Sequence, residues 1–173
     1  MAPTPIMSAA RVQRTIRRLA YEIVERNQGS NHLCVFGIRE SGVPLAHALV
    51  DEINAVEEGE LRAHPLDVTA YRDDHEAPDP SKEDQTETDL DTTGQHVILV
   101  DDVLFTGRTA RAALDAVLQF GRPKSIQLVV LVDRGHREYP IQPDYVGRRL
   151  PTKHRERVVV HTDDTFAVTV TET

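Results

Sequence analysis

Apolar positions along the chain follow two different spacings. An unbroken apolar run covers residues 97–100, and largely apolar runs cover residues 33–38 and 125–132, as in strands that are buried on both faces of a parallel sheet. Between these runs, apolar residues recur at intervals of three and four, which is the period of an amphipathic helix. The alternation of the two patterns predicts an α/β fold with a mostly parallel, twisted sheet and helices on both of its faces.

Local start and stop signals place three helices. Ser8 is an N-cap residue for a helix that runs to about Asn27. Pro44 begins a second helix, and a third runs from Thr109 to the break at Gly121. The apolar side of each helix is predicted to face the sheet.

Other stretches have the composition of extended structure. Residues 66–71 suit a third extended segment beside the buried runs. Residues 158–160 and 166–170 suit a closing hairpin, with Asp163 and Asp164 at its turn.

The composition predicts one domain with one polar excursion. With 173 residues, of which 39% are hydrophobic, the chain can build a single core, so we expect one domain over residues 1–173. Residues 75–95 are mostly polar and acidic, and we expect a flexible loop there. A loop of this length in a compact domain is a lid, a binding loop or a disordered segment, and the sequence leaves these alternatives open.

Charge is unevenly distributed. The net charge is −8, but residues 51–102 hold 17 acidic and 3 basic residues, so the remainder is basic. The basic residues concentrate in residues 148–157 and in a stripe on the first helix. The stripe comprises Arg11, Arg14, Arg18 and Tyr21. Each basic region is either a solvated face or a surface that contacts the phosphates of a nucleic acid.

Cysteine usage and hydropathy indicate the compartment. Cys34 is the single cysteine and lies in an apolar run, so we expect a buried, reduced thiol and no disulfide within the chain. No apolar run reaches the roughly 20 residues of a membrane span, and residues 1–10 lack the pattern of a signal peptide. A cytoplasmic protein is predicted.

Two acids and a tight turn follow the apolar run at residues 97–100. Ligands of open α/β sheets bind beyond the carboxyl ends of the strands, where Asp101 and Asp102 stand. The turn from Thr106 to Thr109 leads into a helix, so its backbone N–H groups and its hydroxyls can form an anion cradle. Carboxylates accept hydrogen bonds from hydroxyls and repel phosphates. The pair therefore suits a ligand that joins a vicinal diol to a phosphate, such as ribose 5-phosphate.

This motif resembles the phosphoribosyl pyrophosphate signature of the type I phosphoribosyltransferases. An apolar run, Asp-Asp, three residues and Thr-Gly-x-Thr occur without a gap. The Tyr71-Arg-Asp-Asp box and the motif at residues 132–141 are similar to the PyrR family, whose members are pyrimidine operon attenuators and uracil phosphoribosyltransferases. The resemblance extends from about residue 10 to about residue 170. It implies the type I phosphoribosyltransferase fold, with a small hood over the strand ends.

The resemblance implies roles for the motif and the adjacent loops. Asp101 and Asp102 would be catalytic and hold the ribose hydroxyls, with Mg²⁺ bound near them through the substrate and no certain protein ligand. The implied substrate-binding residues are Arg39, Glu40, Ser41, Gly42, Arg72, Val103, Leu104, Phe105, Thr106, Gly107, Arg108, Thr109, Asp133, Arg134 and Arg137. Uracil and phosphoribosyl pyrophosphate would give UMP and pyrophosphate through an oxocarbenium-like centre.

The resemblance also implies an RNA partner. Family members bind the leader of pyrimidine messenger RNA, more tightly when UMP or UTP is bound. We therefore expect binding of leader mRNA, no binding of DNA or membranes, and a homo-oligomer. The implied RNA-binding residues are Arg11, Arg14, Arg18, Tyr21, Arg148, Arg149, Lys153 and Arg155.

The chain departs from the family pattern at two places. The family usually has Thr-Arg where this chain has Glu40-Ser41, and it commonly has His where this chain has Tyr21. An acid beside a pyrophosphate is unfavourable when poorly solvated. Three hypotheses stay open: an active uracil phosphoribosyltransferase that also regulates, an RNA-binding attenuator with weak or lost enzyme activity, and a phosphoribosyltransferase for another base.

Overall fold

A computed structural model describes residues 2–74 and 89–172. Its strands are β1 (Thr4–Met7), β2 (Leu33–Ile38), β3 (Ala63–Leu66), β4 (His96–Leu104), β5 (Ser125–Asp133), β6 (Tyr145–Arg149), β7 (Glu156–His161) and β8 (Ala167–Glu172). Five of them form a parallel sheet in the order β3-β2-β4-β5-β6. The sheet follows from the apolar runs, since all six residues of β2 and most of β4 and β5 are buried.

Helices cover both faces of this sheet, as the sequence predicts. The helices are α1 (Ala9–Asn27), α2 (Gly42–Glu57) and α3 (Arg108–Val117). One buried cluster joins α1 and α2 to Val100 of β4, and a second cluster joins α3 to Leu99 of the same strand. Adjacent residues of β4 therefore belong to different cores, as the alternation of a strand requires.

The predicted helix boundaries are confirmed to within a few residues. The Ser8 hydroxyl accepts a hydrogen bond from the Arg11 N–H at 3.3 Å, and the left-handed Gln28 ends α1. Helix α3 begins at Arg108, one residue before the predicted start. A 3₁₀ turn over Leu118–Phe120 follows α3.

The prediction of an extended segment over residues 66–71 is wrong. Strand β3 ends at Leu66, and Thr69–Tyr71 form a 3₁₀ helix. The Asp67 carboxylate accepts a hydrogen bond from the Thr69 N–H at 2.9 Å, which favours a turn over a strand.

The prediction that the central strand ends at its two acids is also wrong. Strand β4 continues to Leu104, because Asp101 and Val103 pair with Val130 and Val132 of β5. Pairing with β5 sets this strand end, and hydropathy does not show it. Strands β1 and β6 were not predicted from the sequence.

A small second sheet supplies the hood. It is antiparallel, with the order β1-β8-β7, and β7 and β8 are the predicted hairpin. Cys34 is buried as predicted, and burial raises the pKa of its thiol to about 11. In the described part of the chain, no helix is long and apolar enough to cross a membrane.

The loop predicted at residues 75–95 lies mostly outside the described residues. The part from residue 89 onward is bonded to the stretch that follows α3, because the Thr92 N–H donates to the Phe120 carbonyl at 2.9 Å and the Gly94 N–H donates to the Arg122 carbonyl at 3.1 Å. This contact fixes the chain just before β4.

Candidate active site

The carboxyl end of β4 lines a cavity of about 360 Å³. Residues from three parts of the chain surround it, and most of them were predicted. They are Arg72, Asp74, Asp101, Val103, Leu104, Phe105, Thr106, Gly107, Arg108, Thr109, Ala110 and Glu138. The cavity has both of the features that the motif predicts, a carboxylate and a helix N-terminus.

Asp101 is the buried acid of this cavity, with 9% of its surface exposed. Its carboxylate accepts a hydrogen bond from the Asp102 N–H at 2.9 Å. Burial raises the pKa of Asp101 well above its ordinary value, the charge of Asp102 raises it further, and the cation of Arg72 opposes the shift. The ionised form of Asp101 is therefore poorly compensated, and a hydroxyl donor or a cation in the cavity would stabilise it.

Asp102 occupies a different environment. It is half-buried, and its carboxylate accepts a hydrogen bond from the Val103 N–H at 2.7 Å. It does not line the cavity described above. The two acids that the sequence pairs are therefore not equivalent in the structure.

The turn before α3 has the shape of an anion cradle. Gly107 has a φ of +91°, and a side chain there would meet Ile141 at 3.2 Å. The Thr106 hydroxyl accepts a hydrogen bond from the Arg108 N–H at 3.3 Å, and the helix begins immediately. The N–H groups of the first turn of α3 are therefore directed to the cavity side, as an anion requires.

Arg72 supports this turn from the side. Its guanidinium donates to the Thr109 hydroxyl at 2.7 Å and is paired with Asp74 at 2.7 Å. Arg72 thus places a positive charge at the cradle, and this charge also lowers the pKa of Asp101. The family resemblance implies that Arg72 contacts the substrate, but it does not indicate these partners.

Arg108 makes contacts that the sequence did not predict. Its guanidinium is paired with Asp73 at 3.0 Å and with Glu138 at 2.9 Å, and it donates to the Tyr139 hydroxyl at 3.0 Å. The Tyr139 hydroxyl also donates to Asp73, and this hydrogen bond and the contacts with Arg108 lower the pKa of Asp73. Asp73 lies in the Tyr71-Arg-Asp-Asp box, and Glu138 and Tyr139 lie in the motif at residues 132–141. The resemblance of these two motifs to the family was the sequence feature that could have indicated the contacts.

The loop between β2 and α2, together with the first residue of α2, holds four of the predicted substrate-binding residues, from Arg39 to Gly42. A side chain at Gly42 would lie 2.3 Å from the Val100 carbonyl oxygen, so the loop packs directly against β4. The Arg39–Glu40 peptide bond is cis. Within residues 2–74 and 89–172, the side chains of Arg39, Glu40 and Ser41 make no hydrogen bond or ion pair. Arg39 is half-buried and Glu40 is exposed.

Asp133, which is buried, and Arg137, which is half-buried, form an ion pair at the end of β5. The two side chains are 2.8 Å apart, and Asp133 also accepts a hydrogen bond from the Gly135 N–H at 3.0 Å. The Arg137 guanidinium donates to the carbonyl oxygens of Phe105, at 2.8 Å, and Ile141, at 2.9 Å. Much of the hydrogen-bonding capacity of these two predicted substrate contacts is thus used within the protein.

Aromatic rings pack around Phe105, which lines the cavity. The Arg134 guanidinium lies 3.9 Å from the centroid of the Phe105 ring. The rings of His136 and His154 stack at 5.0 Å, and each presents an edge-on arrangement to Phe105 at 5.5 Å. The loop after β5 therefore packs against the wall of the cavity.

The predicted basic stripe of α1 lies beside β6. Arg18 donates to the carbonyl oxygens of Val146, at 3.2 Å, and Gly147, at 2.8 Å. A side chain at Gly147 would meet Thr15 at 2.9 Å, so the glycine permits this close packing. The exposed residues of the stripe are Arg11, Arg14, Arg18 and Tyr21, and Tyr21 is 55% exposed. The structure thus places the stripe next to β6, which carries Arg148 and Arg149 of the second basic region.

The basic residues of the stretch 148–157 differ in their exposure to solvent. Arg148 is half-buried and donates to the Ile6 carbonyl at 2.7 Å, which ties β6 to the hood. Arg149 is exposed and lies 3.6 Å from Asp133, and Lys153 lies 3.5 Å from Glu172. Arg155 is also exposed. Arg149, Lys153 and Arg155 therefore present charge to the solvent, whereas Arg148 has a structural contact.

The fold and the site define a class of protein. The phosphoribosyl transferase domain model matches residues 6–164. The structure is similar to that of the hypoxanthine phosphoribosyltransferase of Trypanosoma cruzi, with a TM-score of 0.74 and 19% identity, over 99% of this chain and 97% of that chain. At this identity the likeness shows the fold alone. The chain thus carries a phosphoribosyl transferase domain.

Curated relatives narrow the class. The chain is 50% identical to the bifunctional protein PyrR of Limosilactobacillus reuteri over 162 residues, which cover 92% of this chain and 91% of the relative. It is 48% identical to the pyrimidine operon regulatory protein of Lactococcus lactis, over 92% of this chain and 90% of the relative. The chain belongs to the PyrR family.

Proposed function

We propose that this protein is a uracil phosphoribosyltransferase, which converts uracil and phosphoribosyl pyrophosphate into UMP and pyrophosphate. The observation that carries the proposal is the cavity in which Asp101 faces the cradle of Thr106 and Gly107. A carboxylate next to an anion cradle fits a molecule that carries both hydroxyls and a phosphate. Family membership supports uracil as the base.

Each part of the substrate has a group of residues that suits it. The 5-phosphate would accept hydrogen bonds from the cradle, with the cation of Arg72 beside it, and the ribose hydroxyls would donate to Asp101 and Asp102. Pyrophosphate would lie on the loop from Arg39 to Gly42. Uracil would lie between Phe105 and the loop after β5, where Asp133, Arg134 and Arg137 border it.

The reaction exchanges one bond at the anomeric carbon of the ribose. The bond to the pyrophosphate oxygen breaks, the N1 atom of uracil forms a bond to the same carbon, and the N1 proton leaves. Positive charge develops at the ribose in the transition state. Asp101 and Asp102 supply negative charge on the ribose side, and the cradle fixes the phosphate, so positioning and electrostatics contribute to the rate.

Mg²⁺ fits this site as a partner of the substrate. Within residues 2–74 and 89–172, no group of three or more His, Cys, Asp or Glu residues could hold a metal ion. Mg²⁺ commonly keeps several waters and takes only one or two carboxylates together with phosphate oxygens. The pair Asp101 and Asp102 meets that requirement. When bound, the ion would neutralise charge on the pyrophosphate leaving group.

We further propose that the protein regulates pyrimidine genes by binding leader mRNA, with UMP or UTP as the sensed ligand. The adjoining exposed residues of α1 and of the stretch 148–157 support this surface, since their cations suit phosphates and Tyr21 can stack on a base. The name of the Lactococcus relative, pyrimidine operon regulatory protein, agrees with the role. We also infer one domain over residues 1–173, a cytoplasmic location and a homo-oligomer.

An assay of UMP formation tests the proposed enzyme activity. The assay combines uracil, phosphoribosyl pyrophosphate and Mg²⁺ at low and high salt, and compares the wild type with Asp102→Asn. Asp115→Asn, at a half-buried acid of α3 that does not line the cavity, is the matched control. A fall in activity in Asp102→Asn, but not in Asp115→Asn, would support the proposed enzyme activity. A folded wild type without activity at any salt would instead leave an attenuator that uses the cavity to sense UMP.

Filter binding with leader RNA separates the remaining hypotheses. The wild type is expected to bind the leader transcript of a pyrimidine operon, and a double variant Arg14→Gln and Tyr21→Ala is expected to bind at least tenfold more weakly, in line with the loss of one base stack and one phosphate contact. Activity on a different base, with no RNA binding at all, would favour a phosphoribosyltransferase outside the regulatory role.

A further inference from the structure

The segment that joins β6 to β7, residues 150–155, has no helix or strand of its own. The loop after β5 positions it. The Leu150 N–H donates to the Asp133 carbonyl at 2.8 Å, and the Nε2 atom of His136 lies 2.6 Å from the Thr152 carbonyl oxygen. The segment is part of the basic stretch proposed to bind RNA, so its position matters for that surface.

Arg134 makes the most extensive contact with this segment. Its Nε atom donates to the Thr152 hydroxyl at 3.0 Å, and its Nη2 atom donates to the carbonyl oxygens of Glu156 and, at 3.4 Å, Lys153. The residue is only 7% exposed. A buried guanidinium requires hydrogen-bond acceptors, so Arg134 and the segment hold each other in place.

The same guanidinium touches the wall of the active-site cavity. It lies 3.9 Å from the centroid of the Phe105 ring, and the Arg134 N–H donates to the Leu104 carbonyl at 3.1 Å. Phe105 lines the cavity and directly precedes Thr106 of the cradle. One side chain thus contacts both the nucleotide cavity and the basic segment.

We propose that Arg134 is a positioning residue that couples nucleotide occupancy of the cavity to the arrangement of the basic segment 150–155. The inference rests on the proposed function, because it takes UMP and leader RNA as the two ligands. UMP in the cavity immobilises Phe105, Phe105 immobilises the guanidinium stacked on it, and the guanidinium immobilises Thr152 and the Lys153 carbonyl. RNA then binds a segment that is already ordered, and the coupling is reciprocal.

Hydrogen exchange tests this coupling without RNA. Exchange at residues 150–156 is measured with and without saturating UMP in the wild type, in Arg134→Met and in Arg122→Met. Methionine keeps an apolar side chain against Phe105 but removes all donors, and Arg122 is an exposed arginine at the opposite end of the sheet. UMP is expected to slow exchange in the wild type and in Arg122→Met but to have no effect there in Arg134→Met. Equal protection in all three proteins would overturn the proposal.

Thr152→Val provides a second variant, in case Arg134→Met fails to fold. It removes one acceptor of Arg134, and UMP formation is expected to be unchanged. UMP is expected to strengthen binding of leader RNA to the wild type by at least about fivefold, and this ratio should fall towards one in both variants. An unchanged ratio in Thr152→Val would contradict the coupling. A wild type that binds no leader RNA would contradict the proposed function instead, and exchange at residues 150–156 would still decide the role of Arg134.

Discussion

The cradle before α3 and the loop before α2 follow adjacent strands of one sheet, yet they are held in place differently. Side chains hold the cradle, because Arg72 donates to Thr109 and Arg108 is paired with two acids. The loop before α2 is held by backbone contact, with Gly42 against β4. Charge at the cradle is therefore fixed before a substrate arrives, whereas the cation of Arg39 has no partner in the described part of the chain.

Asp101→Asn, in the cavity that contains the cradle, is expected to have the largest effect. The change keeps the shape and the acceptor for the Asp102 N–H, but it removes the charge that faces the ribose. We expect kcat/KM for UMP formation to fall by about 10²- to 10³-fold. Steady-state kinetics at saturating Mg²⁺ measures it, and a fall below tenfold would show that Asp101 is not part of the machinery.

The same variant is expected to be more stable than the wild type at pH 7. The pKa of Asp101 is raised in the folded protein, so ionisation costs stability as the pH rises above the ordinary pKa of an aspartate. Asparagine avoids that cost, and we expect a gain of about 0.5–2 kcal/mol in the free energy of unfolding. The gain should disappear near pH 3, where the acid is protonated in both states. Urea unfolding at the two pH values tests the sign.

Gly42→Ala tests the backbone contact of the other loop. The new methyl group would lie 2.3 Å from the Val100 carbonyl oxygen, and neither backbone can move away without disturbing the sheet. We expect a loss of about 3 kcal/mol in the free energy of unfolding, near the upper end for overpacking. Gly135→Ala is the matched control, because a side chain there meets nothing within 4 Å and only the positive φ opposes it. Equal losses in the two variants would mean that the contact with β4 is unimportant.

Arg72→Met should have a smaller effect on the substrate-bound state. Loss of the cation beside the cradle is expected to raise KM for phosphoribosyl pyrophosphate about tenfold, the scale of one charged hydrogen bond. Arg72 also lowers the pKa of Asp101, so the acidic limb of the pH–rate profile should move to higher pH. Arg62→Met, an exposed arginine outside the cavity, is the control. If the pH–rate profile does not move, Arg72 does not influence the ionisation of Asp101.

Ser41→Arg is expected to have the smallest effect, and an opposite one. An arginine would add a second cation to the loop before α2 and offset the carboxylate of Glu40, so binding of phosphoribosyl pyrophosphate should tighten by about threefold to tenfold at low salt and less at high salt. Ser41→Met adds length without charge and should leave affinity unchanged. If the arginine has no effect, Arg39 already supplies the charge that pyrophosphate needs.

The sequence predicted those features of the fold and site that depend on local pattern. The buried runs gave β2, β4 and β5, and one motif located both the acids and the cradle. The sequence did not show that Asp101 and Asp102 have different surroundings, because that depends on the pairing of β4 beyond Val100. Nor did it show the partners of Arg108, since Asp73 and Tyr139 are brought together by the fold.

The three strands that carry the site, β2, β4 and β5, come from parts of the chain that are far apart. Strand β4 lies between β2 and β5, and its first residue, His96, pairs with Leu33 on one side and Ser125 on the other. Such long-range parallel pairing forms slowly during folding. During translation, the acids of β4 emerge from the ribosome before either β5 or Tyr139, which supports Arg108. A nascent chain therefore cannot assemble this site until at least residue 139 has left the ribosome. Substrate can consequently stabilise the fold only late in synthesis, after that residue is available.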